Sequence, residues 1–420
     1  MLKRILPVIA AAFLLISVLA PGMTAKLRQD NSAQIPARTE AFNNNSIKES
    51  SLKNSEENEQ MKGVWVTYME LSMQYEDDQS ERAFRGKFEA IAKNCKSRGF
   101  NTLIVQVRPF CDALYKSDIF PFSHILTGKQ GKDPGYDPLK IMCEICNKEG
   151  LKIHAWINPY RILLNDTPSE LCETNPYITN SKICIETEST VILDPSNEKA
   201  RKLIVDGVRE LAENYDIDGI QFDDYFYPQD IDGEDTAQYE SYKSGHSSGS
   251  IMSLDEWRTA NVNLLICEVY RAVHSAENAS TDKKPEFGIS PQGNLGNNAG
   301  LNADVTSWCA QRGYIDYICP QIYFSLENPA LTFENSLKEW KSLSFHNDLK
   351  LYIGLAGYKA GSDADEETWL DSDSILADEY DISSDYEADG IMLYSYSSLE
   401  DENAETEIEN LSLKLEPESR

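Results

Sequence analysis

Basic side chains and histidine are scarce in this chain of 420 residues. Lys and Arg number 39 against 69 Asp and Glu, the formal net charge is −30, and there are five His residues. Proteins that bind a nucleic-acid backbone need clustered Lys and Arg, so the composition argues against nucleic acid as a partner and disfavours anionic membrane surfaces. Because the histidines are scattered, with no His-x-His pair, we expect neither a catalytic metal nor another cofactor.

Long apolar runs are also lacking, except for one at the N-terminus. Lys3 and Arg4 precede an apolar run at residues 5–20, and small side chains follow at residues 22–25. This order is typical of a secretory signal peptide, which we assign to residues 1–25. We expect a secreted or cell-envelope protein on the extracellular face, with no stable membrane insertion after cleavage. An uncleaved anchor is the alternative that the length of the run leaves open.

Residues 26–60 are rich in Asn, Ser, Glu and Gln with few large apolar side chains. This composition predicts a disordered linker.

The nine cysteines are an odd number for a disulfide framework. Cys143 and Cys146 have the spacing of a redox or zinc pair, but they fall in an amphipathic helical pattern without a second pair. We therefore expect them to be small buried side chains.

From Met61 onward, short β-type runs alternate with helical patterns. The predicted strands are residues 63–68, 102–108, 152–158, 219–224, 286–291, 317–323, 351–357 and 390–396. The predicted helices are residues 81–98, 138–149, 198–215, 254–276, 303–312, 330–342 and 366–380, with an acidic helix or tail at residues 401–420. Eight strand–helix units predict an α/β fold, a closed (β/α)8 TIM barrel over residues 61–400.

An open, doubly wound sheet is the competing fold. Such a sheet normally has a glycine-rich phosphate turn after its first strand. The sequence Thr67-Tyr-Met-Glu-Leu71, at the end of the first predicted strand and just after it, contains no glycine. The closed barrel is therefore favoured.

Side-chain alternation predicts which face of each strand lines the barrel. In the fourth predicted strand, Ile220 and Phe222 oppose Gln221 and Asp223, and successive side chains of a strand point to opposite faces. The aliphatic face should pack on the helices, and the polar and aromatic face should line the barrel. Active sites of such barrels lie at the carboxyl ends of the strands, so we expect these polar side chains to meet there.

The predicted rim combines amides, carboxyl groups, one imidazole, two guanidinium groups and many aromatic rings. Sugars present CH faces that stack on rings and hydroxyls that hydrogen-bond to amides and carboxylates, so a polysaccharide is the expected substrate. The predicted substrate-binding residues are Gln106, Arg108, Asp112, His154, Trp156, Asn158, Arg161, Tyr225, Gln292, Gln321, Tyr323, Tyr358 and Tyr394.

Asp223 and Asp224 are the predicted catalytic residues. Asp223 should point inward at the end of the fourth strand, and Asp224 should stand on the rim. Adjacent carboxylates repel when both are charged, which raises one pKa, and a raised pKa suits a general acid. Glycoside hydrolysis needs two carboxyl groups, or one carboxylic acid with help from the substrate. Capping a helix or binding calcium is the non-catalytic alternative for such a pair.

Several motifs resemble the glycosyl hydrolase-like 10 family, which is typical of exported bacterial proteins. The matching stretches are Gly63-Val-Trp-Val-Thr67, Gln106-Val-Arg-Pro109, Asp112-Ala-Leu-Tyr115, Leu126-Thr-Gly128, Pro134-Gly-Tyr-Asp-Pro-Leu139, His154-Ala-Trp-Ile-Asn-Pro-Tyr-Arg161, Asp218-Gly-Ile-Gln-Phe-Asp-Asp-Tyr-Phe-Tyr-Pro228, Gly288-Ile-Ser-Pro291 and Asp316-Tyr-Ile-Cys-Pro-Gln-Ile-Tyr323. The resemblance implies a TIM-barrel glycosidase that acts on peptide-free glycan strands of cell-wall peptidoglycan. Phe110-Cys111 and Gln292-Gly-Asn-Leu295 depart from the family pattern.

The fourth-strand motif is also similar to the chitinase motif, but Tyr225 stands where that motif has its catalytic glutamate. Adjacent acids at this place occur in hexosaminidase-type barrels, where the substrate's N-acetyl group attacks the anomeric carbon. By that analogy, Asp223 would orient the acetamido group and Asp224 would be the acid/base. A two-carboxylate mechanism that joins Asp223 to Asp112 or Glu327 stays open.

Other predicted side chains have more specific roles. Arg108 and Arg161 suit a clamp for a carboxylate, such as the lactyl group of muramic acid, or internal ion pairs with nearby aspartates. His154 is expected to orient Asp223 by hydrogen bonding. Residues 233–249, rich in Ser, Tyr and Gly, are expected to form a mobile loop above the cleft.

Two functions are therefore compatible with the sequence. The first is an exported glycoside hydrolase that cleaves an N-acetylhexosamine polysaccharide. The second is a non-catalytic carbohydrate-binding barrel of the cell envelope. Turnover of a glycan separates the two.

Overall fold

The computed structural model describes residues 60–416, apart from residues 232, 280 and 282. The predicted signal peptide, the predicted linker up to residue 59 and the end of the predicted acidic tail lie outside these residues. The strands are β1 (Met61–Val66), β2 (Thr102–Arg108), β3 (Lys152–Ile157), β4 (Arg161–Leu164), β5 (Cys184–Glu186), β6 (Thr190–Leu193), β7 (Gly219–Phe222), β8 (Glu286–Ile289), β9 (Tyr317–Ile318), β10 (Lys350–Leu355) and β11 (Gly390–Leu393).

The helices alternate with these strands along the chain. They are α1 (Glu81–Ser97), α2 (Pro138–Glu149), α3 (Pro176–Thr179), α4 (Glu198–Asn214), α5 (Thr236–Ser244), α6 (Leu254–Ser275), α7 (Val305–Ala310), α8 (Phe333–Lys341), α9 (Ile375–Asp385) and α10 (Glu405–Leu415). Side chains cap several of them: α6 begins with a capping box between Ser253 and Glu256, and the Asn197 side chain accepts from the first turn of α4. In the described ranges, no helix has the length and apolar character needed to cross a membrane.

Eight parallel strands close into a barrel, in the order β1, β2, β3, β7, β8, β9, β10, β11 and back to β1. Each of them overlaps one of the predicted strands. The ring is closed because β1 pairs in parallel with both β2 and β11. The predicted (β/α)8 barrel is therefore confirmed, and the doubly wound alternative is excluded.

The barrel interior is packed with large side chains, as expected for this fold. Met61, Trp65, Ile104, Trp156, Tyr317, Cys319, Tyr352 and Met392 form one buried cluster inside the ring. Glycines on neighbouring strands make room for two interior rings: a Cβ at Gly288 would overlap the Tyr317 ring, and one at Gly219 would overlap the His154 ring. The aliphatic side chains of the opposite face belong to a second cluster that includes the helices.

Two local elements were not expected from the sequence. Strands β4, β6 and β5 form a small antiparallel sheet in the long connection after β3. Helix α5 forms where a loop was predicted over residues 233–249, which corrects that prediction. The reason lies in its aromatic residues: the rings of Tyr239 and Tyr242 pack near Trp257 of α6, with centroids 5.4 and 6.1 Å away.

The cysteines do not form a framework of cross-links. All nine carry free thiols. Cys143 and Cys146 are buried on α2, and burial raises the pKa of the Cys143 thiol to about 12. Side chains of this kind act as small hydrophobic groups.

Gly293, which follows β8, provides a test of how the rim is packed. A Cβ at this position would overlap the backbone of Gln321 and Ile322. The Gly293 carbonyl also accepts hydrogen bonds from Trp340 Nε1 (2.7 Å) and Ser336 Oγ (2.9 Å) of α8. We expect Gly293→Ala to lower the free energy of unfolding by about 1–3 kcal/mol, as overpacking of a rigid core does.

Urea-induced unfolding measures this effect. Gly300→Ala is the matched control, because a Cβ there would meet no atom within 4 Å. Equal unfolding free energies for the two variants would contradict the close approach at Gly293.

Candidate active site

The two predicted catalytic aspartates lie at the carboxyl end of β7, on the floor of the barrel mouth. Asp223 is 4% exposed and Asp224 is 7% exposed, whereas the neighbouring Tyr225 is 40% exposed. Two carboxyl groups that are nearly removed from water destabilise the fold unless donors surround them. The surrounding segments supply these donors.

Asp223 is held by the end of β3. Trp156 Nε1 donates to its Oδ2 atom at 3.0 Å, and Asn158 Nδ2 donates to the same atom at 3.1 Å. The backbone N–H of Tyr225 donates to Oδ1 at 3.3 Å. Burial and then the charge of Asp224 raise the pKa of Asp223 to about 7, although these donors and Arg161 act in the opposite direction.

Asp224 is held from the other side of the mouth. Gln292, after β8, donates to its Oδ2 atom, and Gln321 Nε2, after β9, donates to Oδ1 at 3.0 Å. Gln321 is itself fixed, because it also donates to the Ser290 carbonyl at 2.9 Å. Burial raises the pKa of Asp224, and the two amides oppose the shift. With both pKa values raised, the adjacent acids are suited to retain a proton near neutral pH.

Three tyrosines form an aromatic wall beside the acids. Tyr323, Tyr358 and Tyr394 lie with each pair of ring centroids 5.8 Å apart. The Tyr358 ring is 42% exposed. Lys359 Nζ supports the wall from behind, because it donates to the Tyr323 carbonyl at 2.8 Å and pairs with Asp365. The wall offers ring faces to a sugar.

A second group, around Arg161, lies on the opposite flank. The Arg161 Nε atom donates to the Pro109 carbonyl at 2.9 Å. Its guanidinium carbon is 4.8 Å from the Phe110 ring centre and 5.2 Å from the Tyr225 ring centre. The Tyr68 ring packs edge-on against Phe110 at 5.3 Å. Tyr68 and Phe110 were not predicted as site residues, although Tyr68 is the last residue of the first predicted strand and Phe110 lies two residues after the second.

Gln106 has a supporting position below this flank. Its side chain is 2% exposed, and its Oε1 atom accepts from the Tyr68 backbone N–H at 3.1 Å. It therefore fixes the loop after β1 and is enclosed. A substrate would meet Tyr68 before it met Gln106.

Arg108 does not face the mouth, which corrects its predicted direction. The pairing of β2 with β3 shifts register between Gln106 and Arg108, and such a bulge re-aims the side chain that follows it. The guanidinium lies 4.6 Å from the Phe120 ring centre and next to Gly207 of α4. It is fully buried between the barrel and the helices.

His154 lies too deep to contact Asp223, which corrects its predicted role. It pairs in register with Gly219, near the amino end of β7. Its Nδ1 atom is 3.1 Å from the Tyr317 hydroxyl. Burial lowers the pKa of His154 to about 4, so the imidazole is neutral. Trp156 and Asn158 orient Asp223 instead.

Asp112 is also enclosed. It is 0% exposed, and its Oδ2 atom accepts from Gln130 Nε2 at 3.1 Å and lies 3.5 Å from His124 Nδ1. Its carboxylate therefore organises the loop after β2. Among residues 60–416, with three positions left undescribed, no group of three or more His, Cys, Asp or Glu side chains could hold a metal ion.

Comparison with known proteins agrees with this architecture. The profile of a family described as glycosyl hydrolase-like 10 matches residues 60–371. Glycosyl hydrolase YngK of Bacillus subtilis (strain 168) is 34% identical over 348 residues, which cover 77% of this chain and 66% of YngK. Glycosyl hydrolase DigH of Escherichia coli (strain K12) is 33% identical over 301 residues, which cover 65% of this chain and 66% of DigH. The chain thus spans just under two thirds of either relative.

Solved structures of two carbohydrate-active domains share the fold. The glycoside hydrolase domain of PgaB (BpsB) from Bordetella bronchiseptica aligns with a TM-score of 0.55 at 12% identity, over 84% of this chain and 99% of that domain. The catalytic domain of β-amylase from Paenibacillus polymyxa aligns with a TM-score of 0.53 at 11% identity, over 85% of this chain and 99% of that domain. These two structures share the fold, and the profile match over residues 60–371 shows that the chain belongs to the glycosyl hydrolase-like 10 family.

Proposed function

We propose that the protein is a glycoside hydrolase that cleaves an N-acetylhexosamine polysaccharide, with peptide-free glycan strands of peptidoglycan as its substrate. The observation that carries the proposal is the buried pair Asp223–Asp224, with raised pKa values, between exposed aromatic rings. Such a pair can donate a proton to a leaving group at neutral pH. Residues 1–25, with the pattern of a signal peptide, support action outside the cytoplasm.

In the mechanism we propose, the substrate supplies the nucleophile. Asp224 gives its proton to the glycosidic oxygen, and the C1–O bond breaks. The carbonyl oxygen of the substrate's N-acetyl group bonds to C1, and Asp223 accepts a hydrogen bond from the acetamido N–H. Asp224, now a carboxylate, takes a proton from water as the water oxygen bonds to C1. The bond between C1 and the acetamido oxygen breaks in the same step, which restores the N-acetyl group.

The positions of the two acids support these roles. Both acids accept hydrogen bonds on both oxygens, so the roles follow from position and not from the number of donors. A hydrogen bond from the acetamido N–H to Asp223 would favour its ionised form, which leaves the shared proton on Asp224. Asp224 is one residue further out and slightly more exposed. Asp112, the candidate for a two-carboxylate mechanism, is enclosed by Gln130 and His124. That mechanism would then need Glu327, which is exposed on the segment after β9.

Asp224→Asn tests the acid. We expect the kcat on peptide-free peptidoglycan to fall by about 10²–10⁴-fold, the usual contribution of general acid–base catalysis, while binding of the strands is retained. Release of reducing ends and of disaccharide products, detected by mass spectrometry, measures turnover. Equilibrium binding to the same strands measures affinity.

Two control variants make the result specific. Asp381→Asn changes a half-exposed carboxylate on the outer helix α9, where it pairs with Lys414 of α10, and should leave turnover unchanged. Glu327→Gln should also keep turnover, and its loss would favour the two-carboxylate mechanism. Near wild-type rates for Asp224→Asn would remove Asp224 from the acid role. Binding by the wild-type protein without any new reducing ends would favour the non-catalytic carbohydrate-binding barrel.

Asp223→Ala tests assistance by the substrate. We expect the kcat to fall by about 10²-fold or more, because the acetamido group loses its partner. The wild-type enzyme should show a similar loss on strands whose N-acetyl groups have been removed chemically, and the variant should show little further loss on them. Full activity of Asp223→Ala on N-acetylated strands would contradict the proposed mechanism.

The acid pair also predicts a pH dependence of stability. The pKa of each carboxyl is raised above its ordinary value of 3.8, to about 7 for Asp223, so the folded protein binds protons more tightly than the unfolded chain between these values. The stability contributed by the protonated pair is present below about pH 4 and is lost as the pH rises through about 7.

Asp224→Asn removes one of the charges, and the Gln292 amide can rotate to accept from the new NH₂ group. We therefore expect this variant to unfold roughly 2 °C above the wild type at pH 8 and at the same temperature at pH 4. Scanning calorimetry at pH 4, 6 and 8 measures the difference. A difference that is independent of pH would contradict the raised pKa values.

A further inference from the structure

The Arg161 guanidinium is held firmly at the mouth. The Asn158 Oδ1 atom accepts from the Arg161 backbone N–H at 3.0 Å, and Arg161 Nε donates to the Pro109 carbonyl at 2.9 Å. The Phe110 and Tyr225 rings contact the guanidinium at cation–π distance. These four contacts use the backbone N–H, the Nε atom and the guanidinium plane. None of them uses the two terminal nitrogens.

The terminal nitrogens of Arg161 have no partner in the described part of the chain. No hydrogen bond or ion pair reaches either Nη atom there, although the charge of Arg161 acts on both Asp223 and Asp224. The residue is 9% exposed, and its nitrogens are not among the enclosed polar atoms that lack a partner. In contrast, all three nitrogens of Arg108 are enclosed. Of these two arginines, only Arg161 can donate to a ligand.

A preorganised guanidinium with both Nη atoms open matches a carboxylate. Its planar fork donates two parallel hydrogen bonds to two oxygens on one carbon. The electrostatics permit an anion here: if Asp223 and Asp224 share one proton, their single charge is balanced by Arg161. A carboxylate that arrives with the substrate would therefore not meet an uncompensated negative site.

We propose that Arg161 binds a carboxylate carried by the glycan, so that the substrate is an acidic amino-sugar polymer and not a neutral one. The inference rests on the proposed function, since it assumes that a sugar chain occupies the mouth. The guanidinium contacts the ring of Tyr225, the residue after Asp224, and its charge acts on both acids. A carboxylate bound by Arg161 would therefore lie on or next to the sugar at the catalytic position. A lactyl ether on the N-acetylhexosamine and a neighbouring uronic acid both carry such a group.

Binding measurements separate this inference from turnover. Calorimetry on the full chain with Asp224→Asn uses four oligosaccharides of equal length: a peptide-free strand with its lactyl carboxylates, the same strand with these groups reduced to alcohols, a chitin oligosaccharide, and a polymer of alternating N-acetylglucosamine and glucuronate. We expect the lactyl strand to bind about 10- to 100-fold more tightly than its reduced form, as charge-assisted hydrogen bonds imply. Tighter binding of the glucuronate polymer instead would assign the carboxylate to a uronic acid.

Variants at position 161 test whether Arg161 is the cause. Combined with Asp224→Asn, Arg161→Met should abolish the preference for the acidic strand over the reduced strand and leave the affinity for the chitin oligosaccharide within about twofold. Arg161→Lys should restore part of this preference, because lysine keeps the charge but lacks the two parallel donors of the guanidinium. Arg312→Met, at an exposed arginine that pairs with Asp348, should leave the preference intact. Equal affinity for the acidic and reduced strands before Arg161 is changed would overturn the inference, and so would an equal loss on every ligand in Arg161→Met.

The two proposals can fail separately. If the wild-type protein cleaves glycans without discriminating between the acidic and the reduced strand, the assignment to Arg161 is wrong and the hydrolase proposal stands. If it discriminates between them but cleaves neither, the hydrolase proposal is wrong and the assignment stands. Failure to bind any of the four oligosaccharides would overturn the assignment as well.

Discussion

The burial of two adjacent carboxyl groups at the end of β7 is the constraint on which the site depends. Carboxyl groups at this exposure can be ionised only where donors replace water. The donors come from β3, from the segment after β8 and from the segment after β9, through Trp156, Gln292 and Gln321. Segments this far apart in the chain meet because the parallel strands are neighbours in a closed ring. The fold is therefore a precondition of the acid pair.

The layers of interior side chains below the mouth determine how far along the barrel these donors lie. His154, Tyr317 and Gln221 form a hydrogen-bonded layer near the base, with Nδ1–Oη and Oη–Oε1 distances of 3.1 and 3.2 Å. This layer fits because Gly219 and Gly288 leave room for the two rings. Two residues further along β3, the alternation of the strand brings Trp156 directly under Asp223. A larger side chain at either glycine would displace this layer, and the displacement would reach the acids through Trp156.

Much of this arrangement could be predicted from the sequence, because most of it follows from alternation. The eight barrel strands, the inward direction of Trp156 and the rim position of the acid pair follow from a period of two residues and from the end of a strand. Arg108 could not be predicted in this way, since its direction depends on a bulge that forms only when β2 pairs with β3. Helix α5 was missed because its stability comes from tertiary contacts of Tyr239 and Tyr242 with Trp257, which no local pattern reveals. Arg161 was a candidate from the sequence, but only the structure distinguishes its open nitrogens from the enclosed ones of Arg108.

The electrostatics of the mouth support the proposed catalysis more than binding alone. A barrel that only bound sugar could use the amides of Gln292, Gln321 and Asn158 with neutral partners, and it would avoid the free energy that two buried carboxyl groups cost. Asp223 and Asp224 make the folded state less stable as the pH rises towards 7, because both pKa values are raised. Such a cost is offset where a proton must be held at one atom and then transferred, which is the task of a general acid. The same reasoning applies to Arg161, whose guanidinium forms no ion pair with any described residue. A positive charge kept in this way beside two carboxyl groups remains available to a third carboxylate.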